Sequence, residues 1–180
     1  MDSESDTSIF TNNQVHLADV PQLAVLEYNK LRPAYRNVSL ITTTLVFMFI
    51  TAISLGFRLM DNEFFTEEAL YILAGIAVLY LLSIFMAYFG FKKKSYALRE
   101  RDIIYNKGLI WQSSTVVPFN RVQHCEISEG PIERMFGLSE LKIFTAGGSS
   151  SDMSIPGLDP DTANRLKEYI ILKTGMDEEE

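Results

Sequence analysis

Few residues in this 180-residue chain are of the types, and at the spacings, that do covalent or metal chemistry. His124 and Cys125 are adjacent and invite a thiol and imidazole nucleophile. Neighbours along a strand, however, point to opposite faces and cannot activate one another. With one cysteine and two histidines in the chain, neither an internal disulfide nor a Cys/His zinc site can be assembled. Gly147-Gly148-Ser149-Ser150-Ser151 has the composition of a phosphate-cradling loop, but it lacks the lysine and following helix that a P-loop needs and reads as a flexible strand connection. There are no paired carboxylates in a catalytic pattern, and the residues ask for no cofactor, so an enzyme is disfavoured. Trp111 and Phe136 read as core residues or membrane-facing anchors rather than ligand platforms.

The remaining candidates are basic. Lys92, Lys93 and Lys94 are consecutive, and Arg99, Arg101, Lys107 and Arg121 follow within a short distance. Such side chains could meet anionic lipid headgroups, each worth about 1 kcal/mol near a charged bilayer surface. Arg121 could also grip a phosphate or carboxylate with its planar fork, or form an internal pair.

The elements that must position these groups begin with two apolar stretches. Residues 37–57 and 69–91 contain no charged side chain, and each is long enough to cross ~30 Å of hydrocarbon as a helix. Together they predict a transmembrane hairpin over 37–94. Ser39, Thr42, Thr43, Thr44, Thr51 and Ser54 can bond back to their own helix or across to its neighbour, and the small residues Ala52, Ser54 and Gly56 in the first span, with Ala74, Gly75, Ala77, Ser83, Ala87 and Gly90 in the second, would allow the two helices to pack closely on each other. Neither span holds an ionisable residue that would mark an ion path. Lys30, Arg32 and Arg36 precede the first span and the three lysines follow the second, whereas the connector 58–68 is acidic. The positive-inside rule then places both termini in the cytoplasm.

Residues 1–19 are polar and acidic and predict a disordered start, without the pattern of a cleavable signal peptide. Residues 20–36 fit either a short interfacial helix ended near Pro33 or a plain juxtamembrane linker. After Lys94 the period changes. Ser95 to Leu98, Asp102 to Tyr105, Leu109 to Gln112, Thr115 to Pro118, Val122 to Ile127, Leu141 to Thr145 and Met153 to Ile155 read as about seven short strands. Asn106-Lys107-Gly108 suits a tight turn, and Pro131 to Phe136 suits one helical turn stopped by Gly137. A final helix is capped at Asp159, starts at Pro160, buries Ala163, Leu166, Tyr169 and Ile170, and is closed by Gly175. Strands followed by a capping helix make residues 95–175 a small α+β domain, with 176–180 an acidic tail. Residues 92–175 carry 12 basic and 10 acidic groups, too even a balance for nucleic-acid binding.

The motifs Arg99-Glu100-Arg101-Asp102-Ile103-Ile104-Tyr105, Gly108-Leu109-Ile110-Trp111, Val117-Pro118-Phe119-Asn120-Arg121-Val122-Gln123, Met135-Phe136-Gly137-Leu138 and Phe144-Thr145-Ala146-Gly147-Gly148 occur in this order. In that respect the stretch from Lys94 to Lys173 resembles the bacterial pleckstrin-homology (PH) family of membrane proteins, whose short members also carry two spans before the domain. The resemblance implies a seven-stranded PH-like barrel capped by the Asp159 helix, in a bacterial inner membrane. It brings no catalytic site. It further implies assembly with a membrane protein, such as a larger relative with several copies of the domain, or with another copy of the chain. The functions expected are thus a membrane-held interaction module, a reader of anionic headgroups in the phospholipid bilayer, and, least, a small transporter or enzyme.

Overall fold

The computed structural model describes residues 26–61, 66–146 and 152–176. The expected disordered start, the Gly147–Ser151 connection, the tail 177–180 and the middle of the acidic connector lie outside the described residues.

Two long helices, α1 (Ala34–Asp61) and α2 (Glu67–Lys93), contain the two apolar stretches, and both are long and apolar enough to cross a membrane. Pro33 sits just before the first helical residue, where its missing N–H costs nothing. Thr66 caps α2 by accepting the Ala69 N–H at 3.3 Å, and Glu67 and Glu68 favour the positive end of the dipole as Lys92 and Lys93 favour the negative end. The threonine hydroxyls are satisfied largely within α1: Thr43 donates to the Ser39 carbonyl, Thr44 to Leu40 and Thr51 to Phe47. The two helices meet through Thr44, whose hydroxyl lies 3.1 Å from that of Tyr80, and through Phe47, whose ring is 5.4 Å from the Tyr80 ring. The helices pack on each other as expected, but the part of the small-residue expectation that rests on glycines is corrected. An added Cβ at Gly56, Gly75 or Gly90 would meet nothing within 4 Å, so these glycines do not mediate the approach of the helices.

The domain holds two antiparallel sheets. The first has the order β1-β2-β3-β4, with β1 at Asn29–Lys30, β2 at Ser95–Leu98, β3 at Asp102–Lys107 and β4 at Ser113–Pro118. The second, β5-β6-β7, comprises Val122–Ser128, Ser139–Thr145 and Met153–Leu158. A short helix α3 (Pro131–Met135) lies between β5 and β6, stopped by Gly137 at φ +60°. Helix α4 (Pro160–Met176) buries Ala163, Leu166 and Ile170 against Ile103, Phe119, Leu141, Ile143 and Ile155, and sets Tyr169 edge-on to Phe119 at 6.0 Å.

Four expectations change. Residues 29–30 form neither an interfacial helix nor a plain linker: they are a strand, pairing Asn29 with Tyr96 and Lys30 with Ser95. Leu109 to Gln112 is not a strand but a curled loop, because Gly108 at φ +102° turns the chain and the Trp111 carbonyl packs back where a Cβ would be. Asn106 therefore stays in β3, opposite Ser114, instead of forming the turn. Finally, α4 runs through Gly175 to Met176, and the Asp159 carboxylate is taken by Arg32 at 2.6 Å, while its carbonyl accepts the Ala163 N–H.

The consequence for architecture is that both long helices are the connection between β1 and β2. Leu31 is only 3% exposed in the core, Arg32 donates its N–H to the Gly157 carbonyl at 3.1 Å, and Tyr35 and Phe91 pack against the same core with ring centroids 6.5 Å apart. The helices thus leave the barrel through residues packed into and bonded to it, not from an unpacked linker.

Candidate interaction surface

The strand directions divide the barrel into two ends. The starts of β2 and β4, the end of β3, the end of β5 with α3, and the end of β7 lie toward the long helices. The turn 99–101, the 3-10 turn Phe119–Arg121 and the end of β6 lie away from them. This division sorts the basic candidates.

Lys92, Lys93, Lys94 and Lys107 are on the helix side. Lys92 rides over the Tyr88 ring at 5.0 Å, its stem running along apolar surface in the manner expected at an interface. Lys93 and Lys107 line one cavity of about 450 Å³ together with Tyr28, Ser95, Asn106 and Ser114. Lys94 is different. Its ammonium is half-buried, donates to the Tyr35 hydroxyl at 3.2 Å and lies over that ring at 4.8 Å. Burial pushes its pKa down, against an opposing pull from Glu140. It fastens the helix exits together and is not free for a lipid.

Arg99, Arg101 and Arg121 are on the far side. Arg99 grips Asp102 with two bonds of 2.5 and 2.6 Å, and its N–H also donates to the Asp102 carbonyl, so it closes the β2–β3 hairpin. Hydrogen bonding to Asp102 raises its already high pKa further. Asp102, three residues on, was the sequence signal for this pair. Arg101 and Arg121 are exposed, and their carbonyls join neighbouring turns by accepting the N–H groups of Phe119 and Ala146. All three are turned away from the level at which the helices enter the barrel.

The groups that looked nucleophilic are occupied. Cys125 is buried, and that burial pushes its thiol up to about 11, with Lys167 pulling weakly the other way. His124 points outward and stacks on Phe144 at 4.2 Å. Glu140 accepts from Ser128 and Ser154 and meets Lys142 at 3.8 Å, so this carboxylate is tied into β5, β6 and β7. Among the described residues no three His, Cys, Asp or Glu side chains cluster as metal ligands.

Two further surfaces stand out; only the first had no sequence signal, since Trp111 on the second already reads as a core residue or membrane-facing anchor. One is the outer edge of β4, the last strand of its sheet, with which no described strand pairs. The other is the tip of the β3–β4 loop, where Ile110 is 62% and Trp111 86% exposed.

The family model described as "Bacterial PH domain" matches residues 18–174, starting upstream of the two long helices as the position of β1 requires. The UPF0699 transmembrane protein YdbS of Bacillus subtilis (strain 168) is 35% identical over 75 residues, which is 42% of this chain. That match spans 45% of the relative's length. No solved structure matches the chain.

Proposed function

Because the chain belongs to the bacterial PH domain family, we propose that it is a non-catalytic, membrane-anchored interaction module. The barrel is held at the cytoplasmic face of a bacterial membrane, with both termini on that side, and binds another membrane protein, a larger multi-copy PH-domain relative or a second copy of itself. The basic flanks of the hairpin against its acidic connector support this orientation. Mounting the barrel directly on two spans confines it to two dimensions, which raises its effective concentration toward any partner in the same bilayer.

The observation that carries the reading is the open edge of β4. Among the described residues Ser113–Pro118 is paired only to β3, with Val116 on the outer face at 47% exposure and Val117 turned into the core. An unpaired edge of this kind accepts an added strand from another chain through its free backbone groups. Pro118 limits the docking register by ending the edge.

The test is photocross-linking of the full-length protein in native membranes from p-benzoylphenylalanine at position 116, with position 168 on exposed α4 as the control. A discrete protein adduct from 116 and none from 168 supports the reading. Equal adducts from both positions, or none from 116, contradict it.

A second reading is favoured by the cavity between Lys93 and Lys107. Two ammonium groups beside the Asn106 and Ser114 side chains suit an anionic phosphate headgroup. Lys93→Gln with Lys107→Gln then lowers the anionic lipid retained through purification, as read by lipid extraction, and Arg101→Gln leaves it unchanged.

A further inference from the structure

Ile110 and Trp111 form an exposed apolar tip on the loop 108–112, whose third apolar residue, Leu109, is half-buried. The loop begins at Gly108, whose positive φ and close approach to the Trp111 carbonyl fold the backbone back on itself. The side chains of the tip project outward while the backbone stays compact. Its position follows from register: Lys107 pairs with Ser113 at the root of the loop, Asn106 pairs with Ser95, and Ser95 is one residue beyond Lys94, the cap of α2. The tip is thus rooted at the level where the second long helix ends. Lys93 and Lys107 flank it at that level.

We propose that Ile110 and Trp111 insert into the same bilayer that the two helices cross, giving the barrel a third point of attachment. The occupant of this apolar surface is lipid, at the boundary between headgroups and acyl chains. An indole is suited to that depth because its ring is apolar while its N–H still finds a polar partner. Ile110 adds an aliphatic contact, and the two lysines sit where headgroup phosphates lie. With α1, α2 and the tip all engaged, one face of the barrel is set toward the membrane and the β4 edge is held at a fixed height above it.

Trp111 is the only tryptophan in the chain, so the native protein reports on itself. Full-length protein is reconstituted in phosphatidylcholine vesicles and floated on a density gradient to confirm that the hairpin is inserted. Emission is then recorded with acrylamide in the water and with phosphatidylcholine brominated either near the headgroup or near the bilayer centre. The expected result is blue-shifted emission, protection from acrylamide, and stronger quenching by the shallow bromines than by the deep ones. Trp111→Phe abolishes the signal without moving the flotation. Floating protein with red-shifted emission open to acrylamide and unaffected by either bromolipid overturns the proposal. Blue-shifted emission that no bromolipid quenches also overturns it, because the indole is then covered by protein.

Discussion

Lys30 and Ser95 stand opposite one another across an antiparallel strand pair, although both membrane-spanning helices run between them in sequence. The hairpin is therefore the loop of a β-hairpin, and the barrel's first sheet is completed only when the chain has passed out through the helices and back. Leu31, Arg32 and Tyr35 fasten this junction to the core, to Asp159 and to β7.

Two neighbouring positions at that junction separate packing from charge. Leu31 is buried in the core, so Leu31→Ala costs about 3 kcal/mol through lost transfer energy and a residual cavity. Arg32 pairs with Asp159 at 2.6 Å, but its side chain is 55% exposed, so Arg32→Ala costs less than about 1 kcal/mol and the loss shrinks in salt. Denaturant melts of the two variants in detergent, at low and high ionic strength, measure the contrast.

Gly157 offers a sharper test of the seam between helix and barrel. Its φ of +66° is disfavoured for residues with a Cβ, and an added Cβ would lie 2.5 Å from the Tyr35 side chain. Gly157→Ala therefore lowers stability by about 2 kcal/mol or more, combining backbone strain with overpacking. Pairing it with Tyr35→Gly, which removes both the Cβ and the ring that the added methyl would meet, should recover part of the loss. A strictly additive double-mutant cycle contradicts the contact.

Much of the hairpin was legible in the sequence because an unbroken apolar window needs only length and composition to be recognised. Helix α4 was legible from Asp159-Pro160 and from the 163/166/170 spacing, although Asp159 turned out to spend its carboxylate on Arg32. The strand at Asn29–Lys30 was not. It is two exposed polar residues with no period, and its partner lies on the far side of both helices, so no local pattern announces it. Leu31 followed by Pro33 at the helix entrance was the one faint signal. Ile110 and Trp111 misled in the opposite direction: their types favour strands, but Gly108 curls the chain before they can pair. The basic residues stand out in the sequence as a set, yet only pairing register separates Lys93 and Lys107, near the helices, from Arg101 and Arg121 at the other end.

Burial of Cys125 has a pH signature. The unfolded chain releases its thiol proton near the ordinary value of about 8.5, while the folded chain holds it until about 11. Above pH 9 the native state thus binds more protons than the unfolded state, so stability present below that pH falls as pH rises toward 11. Burial also raises Tyr105 and Tyr96, which act in the same direction at higher pH, whereas the lowered Lys94 acts against them. Comparing alkaline melting curves of the native protein and Cys125→Ala isolates the thiol: the variant loses stability less steeply between pH 9 and 11. Equal slopes contradict the assignment.

The most direct measurement asks whether the barrel is built across the hairpin. Two soluble variants are compared by thermal melting: one joins residues 26–33 through a flexible linker of about six residues to residues 94–176, and the other begins at Ser95. Both lack Tyr35 and Phe91, so they differ in β1, in Arg32 and Lys94, and above all in Leu31, whose removal alone is worth about 3 kcal/mol in a domain of marginal size. The joined variant should melt cooperatively, and the variant starting at Ser95 should aggregate or melt far lower. If the fragment from Ser95 melts as cooperatively and at the same temperature, the segment before the hairpin is not part of the barrel.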